Sequence, residues 1–475
     1  MEPNYFRNFA ENLRRMPAHA ATENRNKHEI RITMKRALII SYYWPPTGGS
    51  GVQRWVKFAK YLPQEGWQPV IYTPENPEAI TTDTSLEAEI PAEAEIIKRK
   101  IFEPYEVYRM LTGGRSGKKT SKAETGKGGQ DEVNPINSQK KSLGKRISLW
   151  IRGNCFIPDP RCMWIGPSVR FLKKYLKEHP VDIIISTGPP HSMHLIARRL
   201  SLATGTPWIA DFRDPWTKMF YFKHLHLGKK ARRKHEKLEK KVLDDATVVV
   251  AVSPLVKEEF ETMTSTRVEL ITNGYDENDF KEAPKPDGHF NITHTGLFAS
   301  DGNPDMLWEA LAEKCSEDAD FAKTMRIRLA GKTDKEITDA IQKAGLGKNL
   351  VDLGYQSHNA AVTEQKSASL LILPLRKEPE YKATLPGKLF EYLAAERPVM
   401  GIGQTGGAMA RIIAQTQAGF VFEWDDKASI RKYIDICWEQ FRKGELKAGT
   451  KDIGQYSRRA LTRRMAQLMD SFIAE

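Results

Sequence analysis

Cysteine is scarce in this chain. Only four occur in 475 residues, at positions 155, 162, 315 and 437, and none pairs with another at metal-site spacing. Cys155 and Cys162 stand too far apart for a CxxC site, so free thiols in a reducing compartment are expected. Long apolar runs are missing too. None approaches the roughly 20 residues that a membrane span needs. Residues 1–33 carry no apolar core of the kind a signal peptide has. Acidic charge is in deficit, with 60 Asp and Glu against 73 Lys and Arg, for a formal net charge of +13. That balance favours acidic partners: phosphorylated substrates, an anionic membrane surface or nucleic acid. A soluble cytoplasmic protein is expected, with peripheral contact to the inner face of the cell membrane left open.

The chain is long enough for two or three domains, and 40% hydrophobic residues with ten tryptophans can fill sizeable cores. From Arg36 onward, short β-branched runs alternate with helical stretches. Strands are expected at 37–42, 69–72, 181–186, 208–210, 247–252 and 268–271, and a second series at 290–295, 325–330, 350–353, 370–374, 399–402 and 419–422. Such alternation, with strands apolar on both faces, predicts an α/β fold of two doubly wound Rossmann-like domains, each with about six parallel strands.

The boundaries follow from composition. Residues 1–33 read as a disordered or artefactual extension, because Met34-Lys35-Arg36 directly precedes the first strand. Residues 34–282 form the first domain, broken by a Gly-, Ser- and Lys-rich insertion at 113–146 that holds too few apolar residues to order itself. Residues 289–454 form the second domain. A last helix, 455–475, is expected to pack back on the first. The insertion and the basic helix from Lys229 to Lys241 are either solvated surfaces or contacts to anionic lipid. Nucleic acid is disfavoured, since aromatics are not interleaved with these charges.

Three places carry chemistry. The loop after the first strand, Tyr42-Tyr43-Trp44-Pro45-Pro46-Thr47-Gly48-Gly49-Ser50-Gly51, leads into a helix. It is not a Walker A loop, because no Gly-Lys-Ser/Thr follows it. It is not a clean dinucleotide fingerprint either, because Thr73-Pro74 ends the second strand where an acid would stand. Gly48, Gly49 and Gly51 would let a phosphate or sugar approach the backbone; a plain tight turn is the alternative.

His191 and Asp211-Phe212-Arg213-Asp214 end two further strands on the same rim. His191, at a helix start, is expected to be accessible, and His194, one turn in, packed. His191 with Asp214 can form an acid/base pair on an acceptor hydroxyl, or Arg213 can pair with Asp211 or Asp214 merely to fasten the loop. The two histidines stand at neither HxH nor HxxxH spacing, so no metal site is expected.

The third place is Leu385-Pro386-Gly387-Lys388-Leu389-Phe390-Glu391, which opens a helix after a buried strand. A helix N-terminus beside a lysine suits a diphosphate. A carboxylate at 391 can accept hydrogen bonds from a ribose. Thr295, Gly296, Lys332 and Arg376 lie at neighbouring strand ends, and Arg376, Lys332 and Lys388 are expected to converge on one rim.

Taken in order, the Pro45–Gly51 loop, Val252-Ser253-Pro254, Asn273-Gly274-Tyr275-Asp276, Thr295-Gly296 and the stretch from Pro386 to Val399 resemble glycosyltransferase family 4, of the two-domain GT-B fold. The resemblance runs from about Lys35 to the C-terminus. It implies a retaining, metal-independent transfer of a sugar from a nucleotide donor to a hydroxyl of a glycan or lipid-linked acceptor, in cell-surface polysaccharide synthesis. Donor binding falls mainly to the second domain and acceptor binding to the first. By the same resemblance Glu391 contacts the ribose and Gly49 faces the donor phosphates. The family's second glutamate, eight positions before Glu391, is Ala383 here, and Asp301-Gly302-Asn303-Pro304 stands where a lysine is usual. Two other readings share these features: a sugar-nucleotide epimerase, and a non-catalytic membrane- or polymer-binding protein with a degenerate donor site.

Overall fold

The computed structural model of the protein describes residues 34–78, 82–103, 143–281, 284 and 287–473. The extension at 1–33 lies outside the described residues, as does most of the 113–146 insertion. The end of that insertion, from residue 143, begins the helix Leu143–Asn154.

Among the described residues, runs of β-branched and aliphatic residues form thirteen strands in two parallel sheets. The first sheet contains β1 (Lys35–Ile40), β2 (Trp67–Pro74), β3 (Glu95–Arg99), β4 (Ile183–Gly188), β5 (Trp208–Phe212), β6 (Val248–Ala251) and β7 (Val268–Leu270). Their order is β3-β2-β1-β4-β5-β6-β7. The second sheet contains β8 (Phe290–Thr295), β9 (Met325–Ala330), β10 (Leu350–Gly354), β11 (Leu370–Pro374), β12 (Val399–Ile402) and β13 (Gly419–Phe422), ordered β10-β9-β8-β11-β12-β13. The first sheet thus has one strand more than the pattern predicts. The extra one is β3, Glu-Ile-Ile-Lys-Arg, an edge strand whose charged residues hide its periodicity.

Alternation along the strands divides each core. Leu38 and Ile40 of β1 point into one hydrophobic cluster, while Ala37 and Ile39 point into another on the opposite face. The second cluster is completed from far along the chain by Leu461, Met465, Ala466 and Met469 of the helix Arg458–Asp470. The second sheet divides likewise, with Ile372 on one side and Leu371 and Leu373 on the other.

Strand order reverses between β1 and β4 and between β8 and β11. In a doubly wound sheet such a switch point opens a crevice at the carboxyl ends of the strands. The loops that leave there are 41–49 and 189–191 in the first sheet, and 296–299 and 375–386 in the second.

A buried ion pair holds the first rim. Arg54, on the helix Ser50–Tyr61, is 1% exposed; its Nη2 donates to Asp211 at 2.8 Å and to Ile271 O at 2.9 Å, and its Nη1 to Thr272 O at 2.7 Å. Trp55 Nε1 and Thr187 Oγ1 also donate to Asp211, at 2.7 and 2.9 Å. Burial works to raise the Asp211 carboxyl, but Arg54 and these hydrogen bonds hold it below the usual carboxylate range.

The linker is fixed next to this pair. Asp276 accepts from Lys57 at 2.7 Å and from Tyr61 Oη at 2.8 Å. Tyr275 N donates to Tyr456 O at 3.1 Å, and Arg458 N donates to Tyr275 O at 2.7 Å, so the linker and the returning chain bind each other. A Cβ at Gly274 would lie 2.1 Å from Tyr456 O, which leaves only glycine at that crossing.

Asp211→Asn would strand the buried Arg54 charge and is expected to cost about 3–5 kcal/mol in urea unfolding. The wild-type contribution is present above the unfolded carboxylate pKa and is lost as pH falls through the lower folded value. A variant that unfolds at the wild-type urea midpoint would refute the anchoring role.

Candidate active site

The second sheet's rim is built around one lysine. β8 ends at Thr295, and Gly296 turns the chain at φ +82° while its N–H donates to Ala330 O at 2.8 Å. Lys388, in the first turn of the helix Gly387–Ala394, reaches this turn. A Cβ added at Gly296 would lie 3.3 Å from Lys388 Nζ, so a side chain there would press on the ammonium. Lys388 Nζ donates to His294 Nε2 and to Leu297 O, both at 3.1 Å. His294 can accept because burial, and then the Lys388 charge, push its pKa down to about 3. The ring is therefore neutral, with its proton on Nδ1 directed at Ile372 O, 3.1 Å away. Burial also lowers Lys388 to about 8, against the pull of Glu391.

Glu391 is held beside it. Gln365 Nε2 donates to Glu391 at 2.8 Å and to Thr295 Oγ1 at 3.0 Å, and Thr295 N donates to Tyr392 Oη at 2.9 Å. The helix is capped by Pro386 with no side-chain cap, so its first turn presents N–H groups and the positive end of the dipole.

The other expected donor residues are placed differently. Arg376 is ion-paired with Asp301 at 2.9 Å, and Lys332 is exposed at the end of β9. Of the three cations expected to converge, Lys388 is the one against Gly296. Leu389 is fully buried in the core, so only its backbone can face a ligand, and its N–H donates to Pro386 O. Gly387 is exposed at the helix start.

On the first rim, Gly49 sits at φ +100° before the helix Ser50–Tyr61, with Gly48 half-buried behind it. Arg213 joins its own loop and the Pro189 loop to the start of the helix Ser50–Tyr61. It donates to Gly51 O at 2.5 Å and to Pro189 O, and its N–H donates to Gly188 O at 2.9 Å. The fastening therefore runs to carbonyls, with Asp211 taken by Arg54.

His191 is not accessible. It is 3% exposed, stacks on Trp216 with centroids 4.6 Å apart, and makes no hydrogen bond to Asp214. Trp216 is held from behind, where His235 accepts from its Nε1 at 3.1 Å and Glu239 from its N–H at 3.1 Å. Burial, with positive neighbours, keeps His191 well below the usual histidine pKa.

Asp214 is half-buried, and burial raises it to about 6 against the pull of Arg213. It lines a crevice of about 110 Å³ with Arg213, Glu380, Tyr381, Ala383, Thr384 and Leu385. A larger cleft, about 320 Å³, contains Glu391 together with Lys57, Asp276, His358 and Arg458.

Sequence reasoning missed His294, Gln365 and Tyr392, which set the positions of Lys388, Glu391 and the Thr295–Gly296 turn. The one available signal was a histidine two residues before a glycine at a strand end. Among the described residues, no group of three or more His, Cys, Asp or Glu is placed to hold a metal ion, and no helix is long and apolar enough to cross a membrane.

Two doubly wound parallel sheets whose switch points open on shared clefts define the GT-B class. A model of Glycosyltransferase Family 4 matches residues 137–279, and a model of Glycosyl transferases group 1 matches residues 289–439. The two matches fall on the two sheets in turn, and the chain is a glycosyltransferase of the GT-B class. No curated protein sequence matches it.

Among solved structures, the sucrose-phosphate synthase from Thermosynechococcus elongatus is similar at TM-score 0.59 and 15% identity, over 93% of this chain and 99% of that one. Alr3699/HepE from Anabaena, in complex with UDP-glucose, is similar at TM-score 0.51 and 13% identity, over 92% and 97%. WaaG, a glycosyltransferase involved in lipopolysaccharide biosynthesis, is similar at TM-score 0.52 and 14% identity, over 91% and 99%. At these identities the likeness is one of fold.

The Lys388 environment makes a direct prediction. In ¹³C-methyl NMR of the reductively methylated protein, one lysine signal should titrate near 8 and be absent from Lys388→Arg. Folding lowers this pKa, so the unfolded chain holds the extra proton in the window above about 8, and the group's contribution to stability rises with pH there. Finding every lysine signal above about 10 would contradict the burial of this ammonium.

Proposed function

We propose that the protein moves a sugar from a nucleoside-diphosphate donor to a hydroxyl of a glycan or lipid-linked acceptor, with retention of anomeric configuration, in cell-surface polysaccharide synthesis. The observation that carries the donor assignment is Lys388 Nζ lying against the Gly296 turn at a helix N-terminus, one turn before Glu391. A solved protein of the same fold is in complex with UDP-glucose.

Departure of the diphosphate places negative charge on its oxygens. Lys388 and the N–H groups of the first turn are aimed where that charge develops, so they act on the transition state more than on the bound donor. Glu391, oriented by Gln365, accepts from the ribose hydroxyls. Gly49, free of a side chain on the facing rim, lets the phosphates approach the backbone. With this cationic cradle, the transfer needs no metal.

The acceptor enters through the crevice at Asp214. With its pKa near 6, Asp214 can accept a hydrogen bond from the acceptor hydroxyl at neutral pH. Proton removal is left to the departing phosphate. Arg213 and His191 act from behind, setting the loop that carries Asp214. Closure of the two sheets on the donor limits its hydrolysis.

For location we propose the surface of an anionic membrane. The helix Lys229–Asp245 exposes Lys229, Lys230, Arg232, Arg233, Lys234, Lys237, Lys240 and Lys241. Trp150, 49% exposed, lies on the adjoining helix Leu143–Asn154, which is tied to the start of the basic one by Gly228 N donating to Asn154 at 2.8 Å. Basic side chains near anionic lipid contribute roughly 1 kcal/mol each.

Turnover of a panel of UDP-, GDP- and ADP-sugars with acceptor extracts tests the reading, with product anomers assigned by NMR. Lys388→Ala should lower turnover by about 30- to 1000-fold, which is about 2–4 kcal/mol of barrier. Turnover near wild type would remove Lys388 from the chemistry, and conversion of donor without acceptor would favour the epimerase. Flotation with phosphatidylglycerol vesicles should carry the protein and fail when Lys229, Lys230, Arg233 and Lys234 become glutamine; equal flotation of both would refute the membrane site.

A further inference from the structure

Arg458 is a buried cation that the interactions described so far leave unexplained. It opens the helix Arg458–Asp470, is 6% exposed, and is pinned by its own N–H donating to Tyr275 O. Its side chain does not turn back to solvent but lines the 320 Å³ cleft that also holds Glu391 and His358. There its Nη1 is buried with no hydrogen-bond partner among the described residues. Leaving a guanidinium nitrogen dry and unpaired is costly, and such groups in folded proteins usually have a partner that is a ligand or water. Burial lowers the Arg458 pKa to about 10, with Arg54 adding to the effect and Glu391, Asp276 and Asp279 opposing it from a distance.

The carboxylates nearby restrict what the partner can be. The same cleft is lined by Asp83, Glu89, Asp276, Asp279 and Glu391, which outnumber its basic groups Lys57, His358 and Arg458, so it offers a phosphate little net attraction. A neutral group rich in carbonyl and hydroxyl oxygens suits it: its hydroxyls donate to Glu391 while its oxygens accept from Arg458. Direction along the helix Gly387–Ala394 agrees. Lys388 stands in the first turn at Gly296 and Glu391 one turn further on, with Arg458 facing the cleft that Glu391 lines. A ligand held by its diphosphate at Lys388 would carry its next, uncharged portion past Glu391 to Arg458.

We propose that Arg458 is a nucleoside-binding residue, donating to the ribose or base oxygens of the donor. The second sheet's domain alone then does not complete the donor site. Its far wall is delivered by the chain returning to the first domain, at the point where Arg458 N is bonded to the linker. This inference rests on the donor-site reading above.

The test is isothermal titration of the full-length protein with whichever of UDP, GDP, ADP and CDP binds tightest, and with pyrophosphate by displacement of that nucleotide. Arg458→Met should weaken the nucleotide by about tenfold or more, the range for a hydrogen bond to a charged group, and leave pyrophosphate within twofold. Arg458→Lys should fall between. Lys388→Gln should weaken both ligands. Because Arg458→Met removes a buried charge whose Nη1 has no hydrogen-bond partner among the described residues, the ligand-free Tm should stay the same or rise. Unchanged nucleotide affinity in Arg458→Met, alongside a loss in Lys388→Gln, would overturn this proposal and leave the donor site standing. A fall in Tm with parallel loss of both ligands would assign Arg458 a structural role and overturn it too. Failure of the wild-type protein to bind any of the nucleotides would overturn both readings.

Discussion

The site depends on keeping a lysine charged and available in a place that burial would otherwise neutralise. Lys388 is half-buried at the Gly296 turn and donates two hydrogen bonds, to His294 and Leu297 O. That arrangement works because His294 is itself too buried to protonate. A charged His294 would present an N–H where Lys388 needs an acceptor and would repel the ammonium. A group poised in this way is ready to exchange a weak neutral acceptor for an anionic one. The rest of the second rim serves the same end: Gly296 leaves room for Nζ, Tyr392 fixes the strand end, and Gln365 holds Glu391 one turn away.

The first rim uses buried charge differently. Asp211 and Arg54 satisfy each other and bind β5, β7 and the Ser50–Tyr61 helix into one unit. With Asp211 committed, Arg213 is free to gather the carbonyls of Gly51 and Pro189. Within the six residues from Asp211 to Trp216 there is thus an anchor, a staple, a carboxylate lining the crevice and the ring on which His191 stacks. Of the two acids in this stretch, Asp214 is the one that lines the crevice between the sheets. The basic helix Lys229–Asp245 carries the same division across its section. Its inner residues His235 and Glu239 hold the Asp214 loop through Trp216, while its outer basic residues are exposed.

How much of this the sequence discloses varies with the range of the interactions involved. The α/β architecture was legible because both-face burial writes apolar runs into each strand and glycine and proline mark the ends. The Pro386–Glu391 stretch was legible for a local reason: helix start, cation and carboxylate lie within two turns. β3 was not, since an edge strand with Glu95, Lys98 and Arg99 has no apolar period. The placement of His191 depends on Trp216, which arrives by tertiary packing from the next strand's loop. Arg376 and Lys332 sit at the right strand ends, but Asp301 captures the first and the second projects into solvent. Arg458 was beyond reach, because nothing local says that a residue after the last domain crosses back into the cleft.

The most direct test of the account is a crystal structure of the protein with the nucleoside diphosphate it binds most tightly. Lys388 Nζ should leave His294 for a phosphate oxygen, with the diphosphate at the N-terminus of the Gly387–Ala394 helix and the ribose hydroxyls on Glu391. A nucleotide bound elsewhere, or one bound there while Lys388 keeps its contact with His294, would contradict it.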